Sequence, residues 1–377
     1  MRCGIPNSEL RTANGRVRLR LVTGVFIALV CTLAPESFAD QIDAGDQRYV
    51  RAKVMAFEQG QLVLRASSGQ VVRVAISEVS RIHVDSLGGL ADFNTAEQYA
   101  AEGDDSRALP RYERAVRLVD GYWTDLIRVR MLQTCDRLGM ADKAVFNFIK
   151  LIEGRWSGPL VAARLMPDNL PAKRTPEFRR AVEQLDSAVN RSKHEDHRVL
   201  AMLLRYELLR RVGDDRAAVM VPTIARLRMP ESVRTKRTGQ IQFAALAKVF
   251  ESVATEEHLK WLDRAIADCV DEIVPDLLLL RGRSLLGAAG TREEFIRAGW
   301  AFMRVVVHFA DDPRAAQGLL EAATVHERIG RPDKAVRLLE ECLRHKGAAP
   351  AVIDKAQAAL ERLRSAPQGD KTGSTGG

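Results

Sequence analysis

The spacing of hydrophobic positions divides the chain into two regions. Between residues 47 and 86, apolar and polar side chains alternate, as in a β-strand with one buried face. The alternating apolar positions are Ala52, Val54 and Ala56, then Leu62, Leu64 and Ala66, and then Val72, Val74 and Ile76. Gly60 and Gly69 interrupt the pattern and predict tight turns at 58–61 and 67–70. This region predicts a small, curved antiparallel β module.

From residue 91 to residue 365 the hydrophobic period becomes helical, and one pattern recurs. Each unit is centred on a glycine. Mainly apolar residues stand seven and four positions before it (−7 and −4), and core-type residues stand five, nine and twelve positions after it (+5, +9 and +12). Each of these two sets shares one face of a helix, so a unit predicts a helical hairpin whose first helix ends at the glycine. The anchoring residues are Gly103, Gly139, Gly213 and Gly330.

These glycines are separated by 36, 74 and 117 residues. The spacing and the alanine at +5 resemble tetratricopeptide repeats (TPRs), whose period is about 34 residues. The resemblance implies a mainly α fold, a TPR-like α-solenoid of about six helical hairpins over residues 91–365. One degenerate unit fits the first long gap and two fit the second, with candidate segments at 176–189, 240–268 and 275–308.

Several segments depart from the regular repeat. Pro222 lies inside a predicted second helix and is expected to kink it. Residues 155–175 hold three prolines and predict an inserted loop. Residues 350–365 predict a final helix that covers the last hairpin, and residues 366–377 predict a disordered tail.

The N-terminal β pattern also resembles a known module. The order V-x-A-x-V, G-x-L-x-L and G-x-x-x-x-V-x-I-x-x-V over residues 47–86 is similar to the SH3-like domains called SLA1 homology domains, and more distantly to Sm-like barrels. This resemblance implies a small SH3-like β-barrel in front of the solenoid.

The N-terminus has the layout of an export signal. Four arginines between residues 11 and 20 precede an apolar stretch of 14 residues at 21–34, and Ser37 and Ala39 provide small residues at −3 and −1. The apolar stretch is shorter than the ~20 residues that cross a bilayer. We therefore expect a signal peptide at 1–39, cleaved after Ala39, and a soluble periplasmic or otherwise extracytoplasmic protein. An uncleaved signal anchor is the alternative.

Removing this signal changes the charge and the cysteine count. Residues 1–39 carry five Arg and two Glu, so the net charge falls from +8 to +5, and no nucleic-acid partner is predicted.

Cys135, Cys269 and Cys342 remain, and an odd, widely spaced set does not form a disulfide framework. Cys135 and Cys342 occupy helix core positions and are expected to be buried apolar side chains.

Few side chains suggest catalysis or metal binding. His194 and His197 have helical spacing but lack a third metal ligand, so we expect them in the polar first turn of a helix. Ser284 lies in a G-x-S-x-x-G stretch that is one residue away from a nucleophile elbow and is expected within a helix. His308 and His326 fall on apolar helical faces and are expected in the core or in a groove. No catalytic residue, metal or cofactor is predicted, and the protein is not expected to be an enzyme.

The TPR resemblance does imply one binding surface, the concave groove formed by the first helices. Positions −6, −3 and −2 from each glycine are expected to face it: Gln133, Asp136, Arg137, Glu207, Arg210, Arg211, Thr324, Glu327 and Arg328. This mixed polar lining suits an extended peptide segment better than an apolar cofactor. Ordinary surface positions are the alternative interpretation.

A second candidate surface is the densest basic run, within residues 226–237. It contains Arg226, Arg228, Arg234, Lys236 and Arg237. Arginines at a turn can hold phosphate or carboxylate groups of an anionic envelope polymer or of lipid headgroups. A solvated connector between hairpins is the simpler alternative.

The C-terminal third resembles exported repeat proteins of bacterial envelope assembly. The resemblance rests on Arg314-Ala315-Ala316, Gly330 and Ala335, followed by a helix from Lys355 to Leu363. It implies a non-enzymatic scaffold that binds another envelope protein or peptide segment through the groove, with the β module as a second contact. The sequence does not indicate the partner or the oligomeric state.

Overall fold

A computed structural model describes residues 40–85, 90–251 and 255–365. The predicted signal peptide at 1–39, the last residue of the β module at 86 and the predicted tail at 366–377 lie outside these ranges.

A five-stranded antiparallel sheet precedes the helices. Its strands are β1 (Asp40–Ala44), β2 (Gln47–Glu58), β3 (Gln61–Arg65), β4 (Val71–Ala75) and β5 (Val79–His83). The order across the sheet is β4-β3-β2-β1-β5, so β1 lies between β2 and β5. The alternating positions located β2, β3 and β4 and both turns but missed β1. Among the described residues the sheet therefore reaches back to Asp40, seven residues before the predicted start, and Ile42 and Ala44 of β1 are buried.

Fifteen α-helices follow within the described ranges. They are α1 (Ala91–Ala101), α2 (Asp105–Ala115), α3 (Tyr122–Arg137), α4 (Ala141–Ile152), α5 (Gly158–Arg164), α6 (Pro176–Arg191), α7 (Glu195–Arg211), α8 (Asp215–Ala225), α9 (Lys236–Val249), α10 (Glu256–Asp268), α11 (Val274–Ala288), α12 (Arg292–His308), α13 (Arg314–Arg328), α14 (Pro332–Arg344) and α15 (Pro350–Ser365). A 3-10 turn at Glu231–Val233 precedes α9. The fold is mainly α, a TPR-like solenoid of helical hairpins behind an antiparallel sheet, as the sequence predicted.

The glycine-anchored hairpins are present in the structure. Gly103, Gly139, Gly213 and Gly330 have φ values of +80°, +69°, +63° and +72°, the left-handed conformation that ends a helix. In the second unit the +5, +9 and +12 residues Ala144, Phe148 and Leu151 are all buried. In this unit the core positions read from the sequence are therefore correct.

The third unit departs from that register. Ala218 and Pro222 at +5 and +9 on α8 are exposed, and their neighbours Ala217 and Val221 are buried instead, whereas Ala225 at +12 is buried as predicted. The helix continues through Pro222 to Ala225. Because Ala217 and Ala218 are equally small, the sequence pattern could not choose between them.

The prediction of a loop at residues 155–175 was correct for the part after α5 and wrong for α5 itself. This segment contains α5, with Val161, Ala162 and Ala163 buried. Pro159 lies in the first turn of α5, where proline is tolerated because the missing N–H would have no partner inside the helix. The short α5 and the long α6 together occupy the place of the degenerate unit expected between the second and third clear repeats.

The sheet and most of the helices share one hydrophobic core. It contains Phe57 and Ile82 of the sheet, and it extends from α1 to Leu277 of α11. Two smaller clusters follow, one over α11, α12 and α13 and one over α13, α14 and α15. Each of these later helices contacts mainly its neighbours in sequence, as expected for a repeat array.

Candidate functional site

Residues from both predicted surfaces meet at the carboxylate of Glu207. This side chain lies on α7 and is 2% exposed. Arg210 and Arg211, three and four residues later on the same helix, donate to it at 2.8 and 3.0 Å. Arg237, from the basic run and the start of α9, reaches the same carboxylate at 3.5 Å. The structure thus joins part of the predicted groove to part of the basic run.

A loop between α5 and α6 completes this arrangement. The guanidinium of Arg211 donates to the main-chain oxygen of Asp168 at 2.7 Å, and Nε of Arg237 lies 3.1 Å from the Asp168 carboxylate. The loop is also held from α3, because Asp136 accepts hydrogen bonds from the main-chain nitrogens of Asp168 and Asn169. We call Asp168, Glu207, Arg210, Arg211 and Arg237 the Glu207 cluster.

The Glu207 cluster carries three guanidinium groups and two carboxylates, an excess of one positive charge. Burial raises the pKa of Glu207, but hydrogen bonds from Arg210 and Arg211 and the charge of Arg237 outweigh it, so the pKa lies below its usual value. The side chains of Arg210 and Arg211 remain 45% and 31% exposed. Guanidinium edges that stay accessible can bind a further carboxylate in a bidentate manner.

The other predicted groove residues make internal contacts of their own. Arg137 forms a bidentate pair with Asp105 at 2.7 and 2.6 Å, and Gln133 accepts from Arg130 at 3.3 Å. On α13, Thr324 donates to the main chain of its own helix, Glu327 pairs with Arg362 of α15 at 2.6 Å, and Arg328 is exposed. Arg137 and Glu327 therefore connect neighbouring helices.

The five side chains of the basic run have different surroundings in the structure. Arg234 donates to the main-chain oxygen of Met229 and pairs with Asp268, both at 3.0 Å, while Arg237 belongs to the Glu207 cluster. Arg226, Arg228 and Lys236 are exposed. The five side chains do not act as one patch, because Arg234 and Arg237 are engaged in structural ion pairs.

His194, His197 and Ser284 occupy helical positions. His194 is the N-cap of α7, and its ring centroid lies 4.8 Å from that of His197. Burial and the neighbouring His194 lower the pKa of His197. The Ser284 hydroxyl donates to the Leu280 oxygen one turn earlier in α11, and Gly282 packs against Phe302, so this stretch is a helix as expected. Among residues 40–85, 90–251 and 255–365, no group of His, Cys, Asp and Glu could hold a metal ion.

The three cysteines of the described chain are free thiols in apolar surroundings. Cys135 and Cys342 are buried, as predicted, and Cys269 is half-buried. Burial raises the pKa of Cys135 to about 12 and that of Cys269 to about 11. High thiol pKa values suppress the thiolate that redox chemistry and metal binding need.

A buried polar network between the sheet and the first helices was missed by the sequence analysis. Glu97 of α1 is 2% exposed and accepts from the main-chain nitrogen of Ile82 at 2.7 Å and from the Tyr112 hydroxyl at 2.6 Å. Arg130 of α3 pairs with Glu97 at 3.0 Å and donates to the Val79 oxygen of β5 at 3.0 Å. The only sequence signal was a glutamate among the core positions of an otherwise ordinary helix.

Comparison with known proteins gives fold-level similarity only. No protein-family model and no curated protein matches the chain. Among solved structures, the assembly chaperone of RpL4 (Acl4) is 13% identical and covers 74% of this chain and 97% of its own, with a TM-score of 0.33. The TPR domain of P58(IPK) is 14% identical and covers 75% of this chain and 90% of its own, with a TM-score of 0.26. At these scores neither structure is a guide to function.

In the parts of the chain that the structure describes, no helix combines sufficient length with sufficient hydropathy to span a membrane.

Proposed function

We propose that the protein is a non-enzymatic scaffold of the cell envelope that binds a segment of another envelope protein at the Glu207 cluster. The observation that carries this proposal is the excess of arginine around one buried carboxylate, assembled from α7, α9 and the loop between α5 and α6. Such an assembly holds its guanidinium groups in place before a ligand arrives, which reduces the entropy lost on binding.

The chemistry of the cluster suggests a carboxylate on the partner. Arg210 and Arg211 already share Glu207, so a second carboxylate can bind their exposed edges while Glu207 stays neutralised. The exposed Arg328 on α13 is a candidate second contact farther along the array. A second weak contact through the β module would raise the affinity by effective concentration.

The proposed location requires export, with the signal peptide at 1–39 cleaved after Ala39. Asp40 would then be the first residue, and its carboxylate accepts from the main-chain nitrogens of Val54 and Asp85. Cleavage after Ala39 would leave these contacts intact.

The test is capture of crosslinked partners from the envelope fraction by the full-length chain. Reversing the charge of Arg210 would place a carboxylate against Glu207, so the informative substitution is Arg210→Gln, with Arg226→Gln as the matched control. We expect Arg210→Gln to reduce capture about tenfold or more, since loss of a charged contact costs over ~1.4 kcal/mol. Equal capture by both variants, with unchanged circular dichroism, would refute binding at the cluster.

A second candidate function rests on the exposure of Arg226, Arg228 and Lys236, which could hold an anionic envelope polymer or lipid headgroups. Exposed charges are screened by salt, so this binding should weaken steeply between low and physiological ionic strength. It should also be lost in Arg226→Gln and kept in Arg210→Gln, the reverse of the scaffold proposal.

A further inference from the structure

Two adjoining clefts share no lining residue with the Glu207 cluster. One, of about 630 Å³, is lined by α4, α6 and the residues that lead into α7. The other, of about 470 Å³, is lined by α2, α3, α4 and α6. Phe146 and Gln184 line both clefts. We call the two together the Phe146 groove.

The shared wall of the groove exposes an aromatic ring. Phe146 on α4 is 46% exposed, whereas Phe148 two residues later is fully buried in the core. The half-buried Ile149 continues the apolar surface into the larger cleft. An exposed aromatic side chain beside a concave surface is typical of the anchor position of a binding site.

The groove also contains two polar side chains with unused acceptors. Asn147 is 1% exposed, and its amide nitrogen donates to the Lys143 oxygen at 2.9 Å. Its Oδ1 atom has no hydrogen-bond partner among the described residues, and the same holds for Oε1 of Gln184. A buried acceptor without a donor is costly, but both oxygens have almost no accessible surface, so a ligand N–H group reaches them only after the side-chain amide turns toward the cleft.

The charges of the groove are unbalanced. Each acidic side chain in the lining already has a basic partner: Glu113 with Lys143 at 2.8 Å, Asp142 with Arg180 at 2.8 Å, and Glu153 with Lys150 at 3.0 Å. Arg117, Arg128, Arg191 and Lys193 also line the groove, and none of them pairs with a carboxylate among residues 40–85, 90–251 and 255–365. The rim therefore carries uncompensated positive charge at both ends.

We infer that the Phe146 groove binds an extended, acidic peptide segment of a partner protein. An apolar side chain of the segment packs on Phe146, and flanking carboxylates meet the unpaired basic side chains. Main-chain N–H groups of the segment donate to Asn147 and Gln184 once these two side-chain amides turn toward it. An extended segment suits these features because its main-chain donors stay free and its side chains alternate between the two sides. This inference is independent of the function proposed at the Glu207 cluster.

The test uses a fluorescein-labelled peptide of alternating leucine and glutamate, titrated with the full-length chain by fluorescence anisotropy. We expect saturable binding, weakened about tenfold or more by Phe146→Ser. The matched control is Val219→Ser on α8, another second helix, where Val219 is 80% exposed. This control should bind like the unmodified protein.

A second substitution separates binding from folding. Asn147→Leu keeps a side chain of similar size and removes the unpaired acceptor, so thermal stability should be unchanged or higher while peptide affinity falls. A purely structural role for Asn147 would move stability and affinity in the same direction.

Several outcomes would overturn the inference. These are absence of binding by the unmodified protein, equal affinity in Phe146→Ser and Val219→Ser, or equal affinity for a peptide with lysine in place of glutamate. A protein dimer that Phe146→Ser dissolves and the peptide does not displace would assign the groove to a second copy instead. Loss of partner capture in Arg210→Gln, or its retention, bears only on the Glu207 cluster.

Discussion

The carboxylate of Glu97 accepts a hydrogen bond from the main-chain nitrogen of Ile82 at 2.7 Å, so a helix side chain binds the edge strand of the sheet. Edge strands present unpaired main-chain groups that favour aggregation unless they are covered. Here α1 covers β5, and Arg130 neutralises the buried carboxylate. The sheet and the first hairpins are therefore joined by polar contacts as well as by a shared core.

This network predicts a large effect of Glu97→Gln on stability. The change leaves the guanidinium of Arg130 buried without its counter-ion, which costs about 3–5 kcal/mol when one partner of a buried pair is removed. Glu102→Gln, exposed at the end of the same helix, should change stability by less than ~0.5 kcal/mol. Urea unfolding and hydrogen exchange at the Ile82 amide report the difference. Equal unfolding midpoints for the two variants would show that the network contributes little.

The contact of α11 with α12 predicts opposite effects for two glycines of one helix. A Cβ added at Gly282 would lie 2.6 Å from Cδ1 of Phe302, so Gly282→Ala should destabilise the protein by about 1–3 kcal/mol through overpacking. A Cβ at Gly287 meets no atom within 4 Å, so Gly287→Ala should stabilise it by about 0.5–1 kcal/mol. Thermal unfolding of both variants is the measurement. Stabilisation by both would mean that Phe302 can move away.

The raised pKa values of two thiols predict slow chemical labelling. With pKa values raised to about 12 and about 11, Cys135 and Cys269 should react with Ellman's reagent more than about a hundredfold slower than a free cysteine near pH 8. Peptide mapping by mass spectrometry assigns the label to each cysteine. Labelling should become fast only after unfolding in guanidinium, and rapid labelling of the folded protein would contradict the raised pKa values of these thiols.

The Glu207 cluster predicts a loss of stability in acid. Because the folded pKa of Glu207 lies below its usual value of 4.5, its contribution to stability is complete above that value and declines as the pH falls through the folded pKa. The midpoint of thermal unfolding should therefore fall more steeply between about pH 5 and pH 3 in the unmodified protein than in Glu207→Gln. Glu231→Gln, a change at an exposed position, should keep the original slope. If Glu207→Gln leaves the slope unchanged, the ionised carboxylate of Glu207 does not contribute to the loss of stability in acid.

The sequence predicted the repeated hairpins because their determinants are local. A left-handed glycine and small residues at fixed offsets define each hairpin without reference to the rest of the chain, as Gly139 and Ala144 show. The same rule misplaced two of the three core positions of α8, because the adjacent Ala217 and Ala218 fit it equally well. It also treated the prolines of residues 155–175 as helix breakers, although Pro159 stands in the first turn of α5.

The Glu207 cluster could be predicted from the sequence only in part. Periodicity placed Glu207, Arg210 and Arg211 on one helix face, since they lie within one turn of each other. The contribution of Arg237, thirty residues later, depends on how α9 packs against α7, and that of Asp168 depends on the loop after α5. Such contacts are set by tertiary packing, for which one sequence carries no local signal.

The most direct test of the proposed function is site-specific photo-crosslinking in the cell envelope. A photoreactive amino acid replaces the exposed Ala172, in the loop that carries Asp168, and separate control chains carry it at Val219 or Arg226. We predict a discrete protein adduct from position 172 that is reduced about tenfold when Arg210→Gln is added. Adducts from position 226 alone, or an adduct at 172 that Arg210→Gln does not change, would contradict binding at the Glu207 cluster.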